Sequence, residues 1–475
     1  MEPDATENIQ LFEKQKRIYP KRVSGRYRNI KWVAMIICLA IYYLVPFIRW
    51  DRGPTAPDQA VLIDLERGRA YWFWIEIWPQ EVYILAGILI LAAIGLFFLT
   101  SLLGRVWCGY LCFQTVWTDL FIWVERIVQG DRNKRKKLRE GPWTKEKLVK
   151  LTITHIIWLG IAWCTAGSFI LYFNDAPTIV QDFLNFNVSP TVLGFVVGLT
   201  FMTYLMAGFA REQVCTHMCP YARFQSAMFD KDTLIIGYDE KRGEPRGKHK
   251  KGADWSDLGD CINCYACVNV CPTGIDIRDG LQMECIACGL CADACDDIMD
   301  KVDLPRGLVR YDTERRLEEK NRELPVSKLR ILRPRTIYYT VVITIVGVIM
   351  LYALINRPLL ELNVLHDRNP LFVQLSSGDI RNGYDIKILN KTHNNHSYRL
   401  DVEGLEGAQI SMVGAGNLDA QEISVAADSV GQNKVFIQAP VNKQEPIVIT
   451  FIIKDIHSGL SAKYRTMFIS RKPHG

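Results

Sequence analysis

At 475 residues the chain is too long for one small domain, and its composition, 49% hydrophobic and 23% charged, averages over long apolar runs and very polar stretches. A net charge of +6, concentrated beside the apolar runs, reads as a membrane-orientation signal and argues against nucleic acid as a partner. All fourteen cysteines fall between Cys38 and Cys295, so no disulfide framework holds the part that follows.

Residues 1–31 form a polar arm with a basic cluster running from Lys14 and Lys16 through Arg17, Lys21, Arg22, Arg26 and Arg28 to Lys31. It is too long and too charged for a cleavable signal peptide, so the apolar run after it is expected to remain as a membrane helix. That first span is predicted over Trp32–Ile48. The loop to Gln80 carries Trp72, Phe73, Trp74 and Trp78 and reads as an interfacial aromatic belt. The second span is predicted over Val82–Leu103, and the sequence Gly104-Arg105-Val106-Trp107-Cys108-Gly109-Tyr110-Leu111-Cys112 follows it. Two cysteines four apart share one face if this segment is helical.

The basic stretch Asp131–Lys137 marks the same membrane side as the N-terminus. A third span is predicted over Leu148–Phe173 and a fourth over Val192–Ala210. His155 lies in the third span. One intramembrane histidine does not supply the two axial ligands of a membrane haem, so His155 reads as a packed group. Cys38 and Cys164 read as packed or lipid-facing thiols. Directly after the fourth span comes Cys215-Thr216-His217-Met218-Cys219-Pro220. Both C-x-x-x-C pairs thus follow an apolar helix that runs in the same direction, and both are expected on the cytoplasmic face. Together they form a candidate redox or metal site, with His217 and Met218 as further soft or borderline donors.

Residues 231–260 are polar and rich in Gly and Pro, and are expected to be a loop-like linker. Cys261-x-x-Cys264-x-x-Cys267-x-x-x-Cys271-Pro272 then recurs 24 positions later as Cys285-x-x-Cys288-x-x-Cys291-x-x-x-Cys295. Zinc ribbons use paired C-x-x-C knuckles, whereas three-plus-one runs in tandem suit two 4Fe–4S clusters, the fourth cysteine of each run crossing to the other cluster. One cluster is therefore expected on Cys261, Cys264, Cys267 and Cys295, the other on Cys285, Cys288, Cys291 and Cys271. The second run lacks the proline, having Asp296 after Cys295. Such thiolate clusters imply a reducing compartment.

A charged connector over 311–335 leads to a fifth span, Ile337–Ile355. Residues 356–475 alternate apolar and polar in short runs, such as Tyr384-Asp385-Ile386-Lys387-Ile388 and Ile447–Ile453, and are expected to form a β-sandwich outside the membrane. The resulting fold class is a multi-domain membrane protein: five transmembrane α-helices, a cytoplasmic two-cluster ferredoxin domain and a C-terminal immunoglobulin-like sandwich. The domains run 1–31, 32–230, 231–310, 311–355 and 356–475.

The Gly104–Tyr110 stretch, Gln114-Thr115-Val116-Trp117-Thr118-Asp119, Cys215–Gln225, Glu240–Lys248 and the tandem cysteine runs together resemble the FixG/CcoG family of cytochrome c oxidase accessory proteins, over nearly the whole chain. The resemblance implies a bacterial inner-membrane protein that helps mature cbb3-type cytochrome c oxidase and reduces Cu(II) to Cu(I) for copper delivery. Its implied partners are the oxidase subunits and copper-delivery proteins. Cys108, Cys112, Cys215 and Cys219 are the candidates to meet copper, Cys215 and Cys219 foremost. The family usually has proline after the second cysteine of the first pair, where this chain has Phe113. No flavin or dinucleotide fingerprint is present, so a separate electron donor is expected. Two other roles fit the same features: a quinol-linked electron-transfer subunit, and a non-enzymatic assembly factor whose sandwich docks a partner.

Overall fold

The computed structural model describes residues 17–248, 257–413, 422–440 and 446–470, with Ser226 described in its backbone only. Lys14 and Lys16 of the basic arm and His249, Lys250 and Lys251 of the linker lie outside the described residues. The chain divides into two compact units. One comprises Met1–Ile48 and Ala60–Met350, the other Arg49–Gln59 and Leu351–Gly475.

The first unit begins with α1 (Arg26–Leu44), followed by strands β1 (Val61–Asp64), β2 (Arg69–Trp72) and β3 (Ile75–Ile77) and by α2 (Val82–Leu103). Next come α3 (Phe113–Gln129), α4 (Arg132–Glu140), α5 (Lys145–Ile170), α6 (Ala176–Leu184), α7 (Pro190–Leu205) and α8 (Pro220–Ala227). The iron–sulfur region holds β4 (Leu234–Tyr238), α9 (Glu240–Gly243), α10 (Ala266–Val270), α11 (Leu290–Lys301) and β5 (Val309–Thr313); α12 (Glu314–Asn321) and α13 (Pro334–Ile355) follow. Five helical stretches are long and apolar enough to cross a membrane: Arg26–Phe47, Pro79–Leu103, Lys145–Ile170, Pro190–Ala210 and Pro334–Ile355. Local chemistry sets their starts. Thr144 Oγ1 accepts from Lys147 N at 3.1 Å to open α5, and Ser189 Oγ accepts from Val192 N at 3.3 Å to open α7, with Pro190 in the first turn.

Three predicted segments differ from what the fold shows. The first helix starts at Arg26, not Trp32, because Asp293 caps it from far along the chain: its carboxylate accepts from Tyr27 N at 3.1 Å and from Arg28 N at 2.7 Å. The aromatic loop is an antiparallel meander in the order β1-β2-β3. Trp78 is buried under the Arg69 guanidinium, 3.6 Å from the ring centroid, and only Trp74 of the four aromatics is largely exposed. The linker over 231–260 contains β4, which pairs antiparallel with β5 from Leu234↔Thr313 to Tyr238↔Val309. This pairing closes the iron–sulfur region at its base. It also runs beneath the end of α2: Gly104 has φ +59°, and a Cβ there would lie 2.4 Å from the Leu234 carbonyl oxygen, so only glycine fits.

The second unit is a sandwich of two antiparallel sheets built from β6 (Leu360–His366), β7 (Val373–Gln374), β8 (Ile380–Asn390), β9 (His396–Glu403), β10 (Gln409–Met412), β11 (Glu422–Val425), β12 (Ser429–Ala439), β13 (Ile447–Asp455) and β14 (Ser461–Phe468). One sheet has the order β10-β12-β8-β6 with β7 on β8, the other β11-β9-β13-β14. Alternation dictates the packing: Tyr384, Ile386 and Ile388 of β8 meet Ile449, Phe451 and Ile453 of β13 in one core, while Asp385 and Lys387 point away.

Candidate iron–sulfur and thiol sites

Two cysteine-lined cavities lie side by side in the iron–sulfur region. One is walled by Cys261, Cys264, Cys267 and Cys295 with Tyr238, Met299 and Leu308. The other is walled by Cys271, Cys285, Cys288 and Cys291 with Ile236, Ile275 and Ile277; Cys267 borders both. In each, three cysteines of one run face the fourth of the other. The turns that present them need unusual backbone, with Asn263, Tyr265 and Ala287 at positive φ. Burial pushes the Cys267, Cys285 and Cys295 thiols up to about 12 and that of Cys291 well above its ordinary value. Backbone N–H groups oppose this at Cys285 (Ala287), Cys288 (Leu290) and Cys295 (Val309). Apolar wells with converging thiols and amide donors fit iron–sulfur clusters, whose iron displaces the thiol protons. Asp296, in the place of the second run's proline, accepts from Gly307 N at 2.9 Å and ties α11 to the chain leading into β5.

The two C-x-x-x-C pairs are folded alike. Each sits in one wide helical turn closed by an i→i−5 bond, Cys112 N to Trp107 O at 2.9 Å and Cys219 N to Val214 O at 2.7 Å. Cys112 (φ −62°, ψ 128°) and Cys219 (φ −79°, ψ 112°) then start α3 and α8 as matching caps. Phe113 and Pro220 occupy the same first helical position, so the missing proline leaves the turn unchanged. The turns face each other. Cys108 Sγ donates to Gln225 Oε1 of α8 at 3.4 Å. The Cys215 thiol is pushed up to about 12, by burial first and then by the neighbouring sulfurs of Cys112, Cys108 and Cys219. Cys108 is raised to about 11, by burial and by Cys112, against the pull of Arg105. His217 and Met218 are exposed beside them.

This thiol group abuts the second cavity. Cys108 packs in the same cluster as Ile286, Cys288 and Leu290. A Cβ on Gly109 would lie 2.8 Å from Ile286 O and 3.1 Å from Cys288 Cα, so glycine lets the two backbones touch. Tyr110 Oη donates to Cys288 O at 2.9 Å. Arg105 donates through Nη1 to the carbonyls of Met283 and Cys285, and through Nη2 to that of Ala222. It thereby joins both thiol turns to the second cavity.

Arg105, Tyr110 and Gln225 were not singled out as site residues from sequence. Their signal is position, since each stands within six residues of a paired cysteine. Two ionic contacts hold the frame. Arg28 donates through Nη1 to both carboxylate oxygens of Asp119 of α3, at 2.9 and 2.8 Å. Glu125 accepts from Arg17 at 3.1 Å, Arg135 at 2.9 Å and Arg211 at 2.6 Å. The Arg211 contact anchors the residue that leads into the second turn. His155 bonds Tyr204 Oη through Nδ1 at 3.0 Å and packs edge-on to Trp158. Cys38 and Cys164 stand apart in α1 and α5, partly and largely exposed.

Residues 210–314 match the family described as a 4Fe–4S dicluster domain, residues 85–135 one described as a 4Fe–4S binding domain, and residues 350–471 the immunoglobulin-like fold at the C-terminus of FixG. The nitrogen fixation protein FixG of Rhizobium meliloti (strain 1021) is 45% identical over 460 residues, covering 90% of this chain and 88% of its own. Protein RdxB of Cereibacter sphaeroides is 45% identical over 476 residues, 99% of each chain. The crystal structure of a FixG-related protein from Vibrio parahaemolyticus is 26% identical and covers 24% of this chain and 97% of its own, with a TM-score of 0.21. The cysteine-lined cavities, the five apolar helices and this near full-length similarity make one conclusion: the chain belongs to the FixG/CcoG family of membrane iron–sulfur electron-transfer proteins.

Proposed function

We propose that this protein reduces Cu(II) to Cu(I) during assembly of a cbb3-type cytochrome c oxidase in the bacterial inner membrane. The observation that carries the reading is the contact of Cys108 and Gly109, in the first of the two facing thiol turns, with the loop that lines the cavity of Cys271, Cys285, Cys288 and Cys291. The crossed sets of four cysteines would hold two 4Fe–4S clusters, which would supply one-electron storage. The chain's own residues do the rest. Arg105 and Gly109 hold the thiol turns against the cavity, and Cys215 and Cys219 present soft donors that favour Cu(I) over Cu(II). His217 and Met218 extend that donor set to the exposed rim. Each Cu(II) takes one electron, and a separate reductant restores it. The basic segments beside the spans support a reading with the thiol turns and the cluster domain on the cytoplasmic side and the sandwich on the periplasmic side, where oxidase subunits or copper-delivery proteins would dock.

A second reading, electron transfer with a quinol, is favoured by an apolar cavity of about 590 Å³ beside the second turn, lined among others by Tyr42, Trp117, Phe169, Met206 and Met218. One experiment separates the two. The protein is reduced anaerobically, freed of excess reductant and titrated with Cu(II) in the presence of a Cu(I) chelator. Clusters that reoxidise as Cu(I) appears, more slowly after Cys215→Ser with Cys219→Ser, support copper reduction. Clusters that stay reduced with copper but reoxidise with a quinone overturn it.

A further inference from the structure

We infer that Cys108, Cys112, Cys215 and Cys219 together hold a third iron–sulfur cluster, of the four-iron class, shared between the two membrane-proximal turns. The inference rests on the electron-transfer character of the chain and not on copper being its substrate; it replaces the direct copper-donor role given above to Cys215 and Cys219 by a cluster-ligand role and leaves His217 and Met218 at the rim as the copper donors.

The segment that matches a 4Fe–4S binding family, residues 85–135, contains only Cys108 and Cys112. A four-iron cube takes four thiolates. The fold brings the other two, since the turn of Cys215 and Cys219 repeats the closing i→i−5 bond of the first turn and faces it.

Spacing favours a cluster over a single ion. A tetrahedral ion with thiolates at about 2.3 Å needs sulfurs about 3.8 Å apart. Among the described residues, no three of these thiols lie within 4.8 Å of one another, and the same holds for the eight ferredoxin cysteines. Sulfurs that do not converge on one small ion leave room for a larger group.

The surroundings are those of an anionic group. Cys112 and Cys219 each stand at a helix N-terminus, where backbone amides favour negative charge, and the amides of Gln114 and Thr115 point at the Cys112 sulfur. Arg105 lies close to Cys108 and Cys215. Gln225, fully buried, turns its side-chain amide toward this group and accepts from Cys108 through Oε1.

The test is the metal content of the full chain, purified anaerobically and reconstituted with iron and sulfide. About twelve iron and twelve sulfide per chain are expected, against about eight for the ferredoxin pair alone. Cys108→Ser and Cys215→Ser should each lower the count to about eight while the EPR signals of the ferredoxin pair persist. About eight iron in the unaltered protein, with all four of these thiols open to alkylation or holding one copper ion, would overturn the inference. Eight iron with intact copper reduction would leave the proposed function standing alone. Twelve iron without copper-driven reoxidation would do the reverse.

Discussion

Glu125 shows what one buried charge does here. Its side chain is 2% exposed and sits among three arginines. Burial alone would raise the carboxyl; Arg211 first, then Arg17 and Arg135, hold it down at about 2. A carboxylate depressed in the folded state contributes stability that is fully present above its unfolded pKa of about 4.3 and is lost as pH falls toward the folded value. Glu125→Gln should therefore lower stability at pH 7 by about 3 kcal/mol, because it leaves three guanidinium groups partly unpaired. Thermal unfolding in detergent at a series of pH values should show this deficit shrinking as pH falls below about 5. A deficit independent of pH would assign the loss to packing. At this scale the sequence was partly legible. The cysteine runs announced their chemistry, whereas nothing local in Val124-Glu125-Arg126 names Arg211 as a partner.

Among the elements, α1 is the instructive one. Its apolar stretch is visible in sequence, but its first turn carries Arg26 and Arg28 and looks like part of the polar arm. Asp293, on α11, supplies the cap and approaches so closely that a Cβ on Gly25 would lie 2.4 Å from its carboxyl carbon. The end of the arm thus has a structural role of its own. The backbone N–H groups of Tyr27 and Arg28 seat the start of the first span on α11, which carries Cys291 and Cys295. Asp293→Ala should lower stability by about 1–2 kcal/mol and speed amide exchange at Tyr27 and Arg28, while exchange in the sandwich stays unchanged. Unaltered exchange at those two amides would show that the cap is dispensable. Strand β4 was illegible for a related reason: a short strand in a polar stretch is stabilised only by its partner, and β5 lies on the far side of the whole cysteine region.

For the whole molecule, two units with separate cores imply separable folding. A chain ended after Ile355 should keep its full iron content and visible absorbance, and residues 356–475 alone should give a cooperative β-sheet unfolding transition. Iron lost on truncation would show that the cluster region depends on the sandwich. Loss of oxidase assembly without loss of copper reduction would assign the sandwich to docking.

The sequence by itself determined the spans, the tandem cysteine runs and the sandwich strands, because each is written in a local period: continuous apolarity, three-residue cysteine spacing, or alternation. The family followed from the same local strings. The crossed grouping of the eight ferredoxin cysteines followed from that spacing too, whereas tertiary structure decided that the two C-x-x-x-C turns face each other and that the first presses on the loop of Cys285 and Cys288 through Gly109. These are contacts between segments far apart in the chain. They depend on helix packing and on single close approaches of backbone, for which linear spacing carries no signal.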